Sequence, residues 1–316
     1  MSLNLTRRHT FALAGGLAAT LAAPAPTFAA DRDTLRFFAI GDWGKDQQGQ
    51  KSVAAAMSSL SDSTPPRFII SLGDNFYRKG VNGVDDPRWR TTFEDMYAAP
   101  GLQCPWYPVL GNHDRGGEAM AQIAYSQRSA RWNFPAPFYW RRETLSDKTA
   151  VDFFFLDTTI IVDEKSGFHQ LLPGDDADDQ LAWLDHALSA SNAKWKIVVG
   201  HHPVYSGGPH GSTSQLLAGV RPLLERHKVS LYLSGHDHNM QYIQVADTAY
   251  AICGVGADTA PVERQVPGTE YVAEQLGFLR LEITPEKIAV GFIDTSIRPI
   301  HTAEILAAPV HASTHA

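Results

Sequence analysis

Leu35-Arg36-Phe37-Phe38-Ala39-Ile40-Gly41-Asp42-Trp43-Gly44 is the stretch that decides the fold. A short, mostly apolar run stops at a glycine, and a carboxylate follows at once. Such a run reads as a strand buried on both faces, with a polar cluster at its carboxyl end. The pattern recurs four times. Arg67 to Leu72 leads into Gly73-Asp74-Asn75-Phe76-Tyr77, and Trp106 to Leu110 into Gly111-Asn112-His113-Asp114. Lys196 to Val199 leads into Gly200-His201-His202-Pro203, and Val229 to Leu233 into Gly235-His236-Asp237-His238. Val151 to Leu156 reads as a further strand.

Helical spacing of apolar residues marks Gln50 to Leu60, Asp179 to Ala190 and Ser212 to His227. Asp178 or Asp179 is the expected cap of the second, with Trp183, Leu184 and Leu188 facing inward. Strand–helix alternation gives an α/β core. After Gly235 the runs Tyr250 to Cys253, Leu276 to Ile283 and Lys287 to Asp294 read as strands without helices between them, so a second, more antiparallel sheet is expected. The architecture is then a four-layer α/β/β/α sandwich of two mixed sheets flanked by helices. The five polar clusters fall on one rim, where α/β folds place their ligands.

The chain has 316 residues, 44% hydrophobic and 19% charged, enough to bury a sizeable core. One catalytic domain, 31–305, is expected between an export signal at 1–30 and a tail at 306–316. Arg7-Arg8, the apolar stretch Phe11 to Leu21 and the small residues before Asp31 describe a leader of twin-arginine type. Its apolar middle is too short for a membrane span of ~20 residues. The reading places the protein in the periplasm or outside the cell, as a monomer without stable membrane association after cleavage. Formal charge is −7; residues 1–30 hold Arg7 and Arg8 and no acid, so the remainder carries −9. An acidic chain with no basic run argues against nucleic-acid binding. Cys104 and Cys253 would either pair or stay as buried thiols.

Carboxylates, a phenol, an amide and imidazoles gathered on one rim suit two cations held about 3.5–4 Å apart. Asp74 is the candidate bridge. Asp42 and Tyr77 add hard anionic oxygens, which favour a trivalent ion, whereas Asn112, His201 and His236 suit a divalent one. His236 and His238 are two apart, and a tight loop would let each reach a different metal.

With these residues in view, the chain resembles the metallophosphoesterases, and within them the purple acid phosphatases, nearest the small tartrate-resistant branch. The motif series D-x-[GW], G-D-x-x-Y, G-N-H-[DE], x-x-x-H and G-H-x-H is matched in order, and likeness extends over roughly residues 33 to 300. The resemblance implies the calcineurin-like fold and a ferric ion held by Asp42, Asp74, Tyr77 and His238. It implies a divalent ion (Fe, Zn or Mn) on Asp74, Asn112, His201 and His236. It also implies catalytic roles at the phosphate for His113 and His210. The activity implied is that of an acid phosphatase, hydrolysing small phosphate monoesters by in-line attack of a metal-bound hydroxide.

Other readings compete. A lone Asp after a strand is ordinarily a cap or turn former, and Tyr77 alone would be a core or rim aromatic. Asp114, Asp237 and Asn75 read as supports for the site, Asp157 as structural and His202 as a flanking residue. Trp132 to Trp140 would pack in the core, with a substrate rim as the alternative. His9, His169, His186, His227, His301, His311 and His315 read as surface or packing residues. The acidic segment from Asp163 to Asp179 reads as a solvated loop, with a lid as the alternative. At the level of function, the competitors are a phosphodiesterase or nucleotide hydrolase on the same site, and an iron redox protein.

Overall fold

The computed structural model describes residues 33–45, 47–162 and 175–307. The leader at 1–30, the tail from 308 and residues 163–174 of the acidic segment lie outside the described residues. Among the described residues, thirteen strands run in chain order: β1 Leu35–Ile40, β2 Ile69–Ser71, β3 Trp106–Pro108, β4 Tyr139–Thr144, β5 Ala150–Phe155, β6 Trp195–Val199, β7 Leu231–Ser234, β8 Met240–Val245, β9 Thr248–Cys253, β10 Thr269–Ala273, β11 Gly277–Ile283, β12 Lys287–Asp294 and β13 Pro299–Leu306. The α-helices are α1 Gln48–Ser63, α2 Ala119–Ala124, α3 Thr158–Val162, α4 Ala177–Ala190 and α5 Ser214–Arg226.

The strands form two mixed sheets, in the orders β13-β12-β11-β1-β2-β3 and β10-β8-β9-β7-β6-β5-β4. In the first, β1, β2 and β3 are parallel and β11 joins β1 antiparallel, Leu35 opposite Ile283. In the second, β5, β6, β7 and β9 are parallel. The two mixed sheets expected are present, but the strands after Gly235 do not build the second, more antiparallel one by themselves. The late strands divide, β8 to β10 extending one sheet and β11 to β13 the other, because each sheet has a parallel centre with an edge left to pair.

Side-chain alternation separates the core into layers. Phe153, Phe155, Ile197, Val199, Leu231 and Leu233 join the cluster that includes Phe37 and Leu279 of the first sheet. Their neighbours Phe154, Val198 and Tyr232 pack instead with Leu184 and Leu188 of α4 and Leu216, Val220 and Leu224 of α5. Period-two alternation with both faces apolar is what makes these strands read as continuous hydrophobic runs. Between the sheets, the rings of Phe37 and Phe68 stack at 4.8 Å, and Phe153 meets both edge-on. Trp132 lies in this core, its indole N–H donating to Gln122 O at 2.8 Å, whereas Trp140 is 53% exposed on the edge strand.

Two local expectations are corrected. Helix α4 starts earlier than its apolar spacing suggests, and its cap is Asp176, which accepts from the backbone N–H groups of Asp178 and Asp179. Trp183 is only partly buried, while Leu184 and Leu188 are fully so. Cys104 and Cys253 are free thiols, and burial pushes Cys104 up to about 12. No described helix is long and apolar enough to cross a membrane.

Candidate metal centre

All five polar clusters lie just past the carboxyl ends of β1, β2, β3, β6 and β7. The turns there are sharp. Asp42, Asp74 and His236 adopt left-handed backbone with φ of 59°, 52° and 71°. Such conformations cost a non-glycine residue roughly 1–3 kcal/mol and persist where the surroundings enforce them. Three of them on one rim mark a site.

The side chains converge as two groups. In one, Tyr77 Oη lies 3.0 Å from Asp42 Oδ1 and 3.2 Å from His238 Nε2, and His238 Nε2 lies 3.4 Å from Asp42 Oδ1. In the other, His201 Nε2 lies 3.0 Å from Asn112 Oδ1 and 3.2 Å from His236 Nδ1. Asp74 stands with both: its Oδ1 is 3.5 Å from His201 Nε2, and its carboxylate gathers with those of Asp42 and the His201 ring within 4.8 Å. The left-handed turn at His236 sends rings two residues apart into different groups.

The donor chemistry fits cations. His201 Nδ1 lies 2.9 Å from the carbonyl of Leu72, which can only accept, so that nitrogen carries a proton, and in the neutral ring Nε2 bears the lone pair. Nε2 then faces Asn112 Oδ1 and Asp74 Oδ1, acceptors meeting an acceptor. Against burial, Asp74 and Asp42 favour a proton on Nε2, and that proton or a metal cation in its place resolves the conflict. Burial works against ionisation of Asp42, but the hydrogen bond from His238 and the charges of His201 and His238 outweigh it and hold the carboxyl below its usual range. Burial, and then the anions of Asp42 and Asp74, push the Tyr77 phenol well above its ordinary value. Burial likewise drives His236 well down, so its ring stays neutral.

Support comes from a buried polar frame. Asp114 accepts from the backbone N–H groups of Gly111, Asn75 and Phe76 and from Gln122 Nε2, at 2.8–3.1 Å. It thereby ties the second cluster to the third. Burial, then Asp74, pushes its carboxyl up to about 6. Asn75 donates to Val109 O and Gln122 Oε1 and accepts from Ser71. These contacts match the supporting roles read for Asp114 and Asn75 from the sequence.

Two histidines lie at the surface of the site. His113 donates Nδ1–H to Arg78 O at 2.6 Å, and its side chain is 35% exposed with Nε2 3.9 Å from Asp74 Oδ2. His210, 56% exposed, donates both its backbone N–H and Nδ1–H to Asp237 Oδ1, at 3.1 and 2.8 Å. Gly208 permits this approach, because a Cβ there would sit 2.4 Å from the Asp237 carboxyl carbon. The His113 ring lies 4.4 Å from that of Tyr77, and the His210 ring 4.1 Å from that of His236. One histidine thus stands over each group.

His202 and Asp157 take the flanking and structural places read for them, through partners that were not legible in the chain. His202 is buried, 4.4 Å ring to ring from His236, with Nδ1 2.9 Å from Thr158 Oγ1. Arg115 is fully buried, gripping Asp157 at 2.8 Å through Nε and Asp175 at 2.5 Å through Nη1. Asp175 is therefore an internal ion-pair partner, which corrects the solvated reading for that end of the acidic segment. Arg115→Ala would leave two carboxylates facing each other, and a loss of about 3–5 kcal/mol in unfolding free energy is expected from denaturant melts. Adding Asp157→Asn and Asp175→Asn should restore part of it; an unaltered melt for the single variant would show the triad to be idle.

The family model for calcineurin-like phosphoesterases matches residues 35–240. Tartrate-resistant acid phosphatase type 5 of Oryctolagus cuniculus is 38% identical over 290 residues, covering 83% of this chain and 88% of that protein. Purple acid phosphatase 4 of Arabidopsis thaliana is 34% identical over 289 residues, covering 85% of this chain and 82% of its own. Among solved structures, GAP50, described as the anchor in the inner membrane complex of Plasmodium, aligns with a TM-score of 0.79 at 30% identity, over 87% of this chain and 90% of that one. The purple acid phosphatase PPD1 of yellow lupin aligns with a TM-score of 0.63 at 15% identity, over 86% and 54% of the two chains, a likeness of fold alone. The chain belongs to the calcineurin-like phosphoesterases, among the tartrate-resistant and purple acid phosphatases, and is by that membership a metal-dependent hydrolase.

Proposed function

We propose that the protein is an acid phosphomonoesterase whose two metals, a ferric ion and a divalent partner, are held by the seven side chains described. The observation that carries this reading is the gathering of two donor groups around Asp74, whose carboxylate lies within 4.8 Å of Asp42 in one and His201 in the other. Tyr77, Asp42 and His238 would hold the trivalent ion, since phenolate and carboxylate are hard anionic donors. Asn112, His201 and His236 would hold the divalent one. Bound there, the ions would polarise the phosphoryl oxygens and lower the pKa of water at the site.

The chain's own groups supply the rest. His201 and His113 each have Nδ1 fixed on a backbone carbonyl, which sets the tautomer and leaves Nε2 as the working nitrogen. Asp237 fixes Nδ1 of His210 in the same way, so His210 Nε2 is the nitrogen that can carry a proton to the leaving oxygen. His113, whose ring lies beside that of Tyr77, would hydrogen-bond the phosphate. The acidic surface does not oppose an anionic substrate, because bound cations dominate the local field.

The test compares 4-nitrophenyl phosphate with bis(4-nitrophenyl) phosphate on the metal-loaded enzyme, before and after exhaustive chelation. A higher kcat/KM for the monoester, lost on chelation and restored by metal, is expected. Preference for the diester would make the enzyme a phosphodiesterase, and turnover that survives chelation would end the metal reading.

A further inference from the structure

Lys45 closes the first polar cluster. Its ammonium sits 4.3 Å from the centroid of the Tyr77 ring and pairs with the carboxylate of Asp258, and the side chain is only 14% exposed. The backbone holds this arrangement. Lys45 N–H donates to Trp43 O at 2.8 Å, and Tyr77 N–H donates to Gly44 O at 2.8 Å, so the loops carrying cation and ring are bonded through adjacent residues. Gly44 makes the approach possible, since a Cβ there would fall 1.9 Å from Asn75 O.

A partly desolvated ammonium over an aromatic face is attracted by the ring's electron density, and more so when the ring oxygen is anionic. Tyr77 otherwise lies among negative charge, its oxygen 3.0 Å from Asp42 Oδ1. Lys45 is the cation set against that ring, and Asp258 holds it in place. The contact is well removed from a surface salt bridge in character, because one partner is an aromatic side chain of the candidate centre itself.

We propose that Lys45 is a positioning residue that acts on the metal centre through Tyr77, lowering the donor level of the ring and so setting the energy of phenolate-to-iron charge transfer. This rests on the reading that Tyr77 holds a ferric ion. Positive charge nearer the ring than the iron widens the gap between donor and acceptor orbitals. Its removal narrows the gap, and the visible band moves to longer wavelength.

The test is the visible spectrum and metal content of iron-loaded wild type, Lys45→Met, Lys45→Gln and Lys45→Arg. Both neutral variants are expected to shift the band to longer wavelength by on the order of 10 nm, as loss of a desolvated cation–π contact implies. Lys45→Arg, which keeps the charge, should retain the wild-type position. An unshifted band in a neutral variant with wild-type iron content overturns the proposal. A merely structural Lys45 would lower the melting temperature of the neutral variants and leave the band in place. A colourless iron-loaded wild type would instead remove Tyr77 as a ligand, and the inference with it, which separates the two failures. Should one neutral variant fail to fold, the other decides.

Discussion

Asp74→Asn is expected to lower kcat/KM on a phosphate monoester by on the order of 10³-fold, the upper end of what losing one electrostatic stabiliser costs. Metal content should fall below that of wild type in the same preparation. The substitution keeps the side chain's size and removes its charge. Asp74 is almost fully buried, sits in left-handed backbone, and its carboxylate lies within 4.8 Å of both Asp42 and His201, one from each donor group. Its Oδ1 also accepts the backbone N–H of His113 at 3.0 Å, an arrangement the amide oxygen can reproduce. Loss of fold is therefore not the expected cause of lost activity, and circular dichroism would check that. Metal analysis and kinetics on one sample decide the matter. Wild-type metal content with wild-type turnover would show that Asp74 is a turn former, the ordinary role of an aspartate after a strand.

His210→Ala should separate substrates by their leaving groups. General acid catalysis contributes about 10²–10⁴-fold where the departing oxygen needs a proton. An alkyl phosphate is such a substrate, and a fall of roughly 100-fold in kcat is expected. 4-Nitrophenolate departs without help, so its ester should lose far less. Asp237→Asn should follow the same order at smaller size, because Asp237 acts on the leaving oxygen through His210, whose backbone N–H and Nδ1 it holds. Equal losses on both esters would assign His210 to binding the phosphate.

The central strands were legible in the sequence because both their faces are apolar and a glycine or polar turn ends each one. Phe153, Phe154 and Phe155 illustrate this, with alternate rings serving different layers. Strands β4, β8, β10 and β13 were not foreseen. Tyr139-Trp140-Arg141-Arg142-Glu143-Thr144 alternates buried with more exposed residues and carries three charges, and at the sheet edge half its surface needs no cover. Nor can local pattern show that β11 pairs with β1, far away in the chain. The candidate site was more legible than the fold, because its side chains follow the most regular strands. What escaped were contacts made at long range: Arg115 reaching Asp175, 60 residues on, and Lys45 reaching Tyr77 and Asp258. A lone lysine or arginine in a sequence carries no mark of the partner that buries it.

The most direct measurement is an anomalous-difference map from crystals of the active protein, recorded at the absorption edges of iron and of the second metal. Two peaks are expected roughly 3.5–4 Å apart, one touched by Asp42, Tyr77 and His238, the other by Asn112, His201 and His236, with Asp74 reaching both. A single peak, or metal bound away from Asp74 in an enzyme that still turns over, would contradict the account.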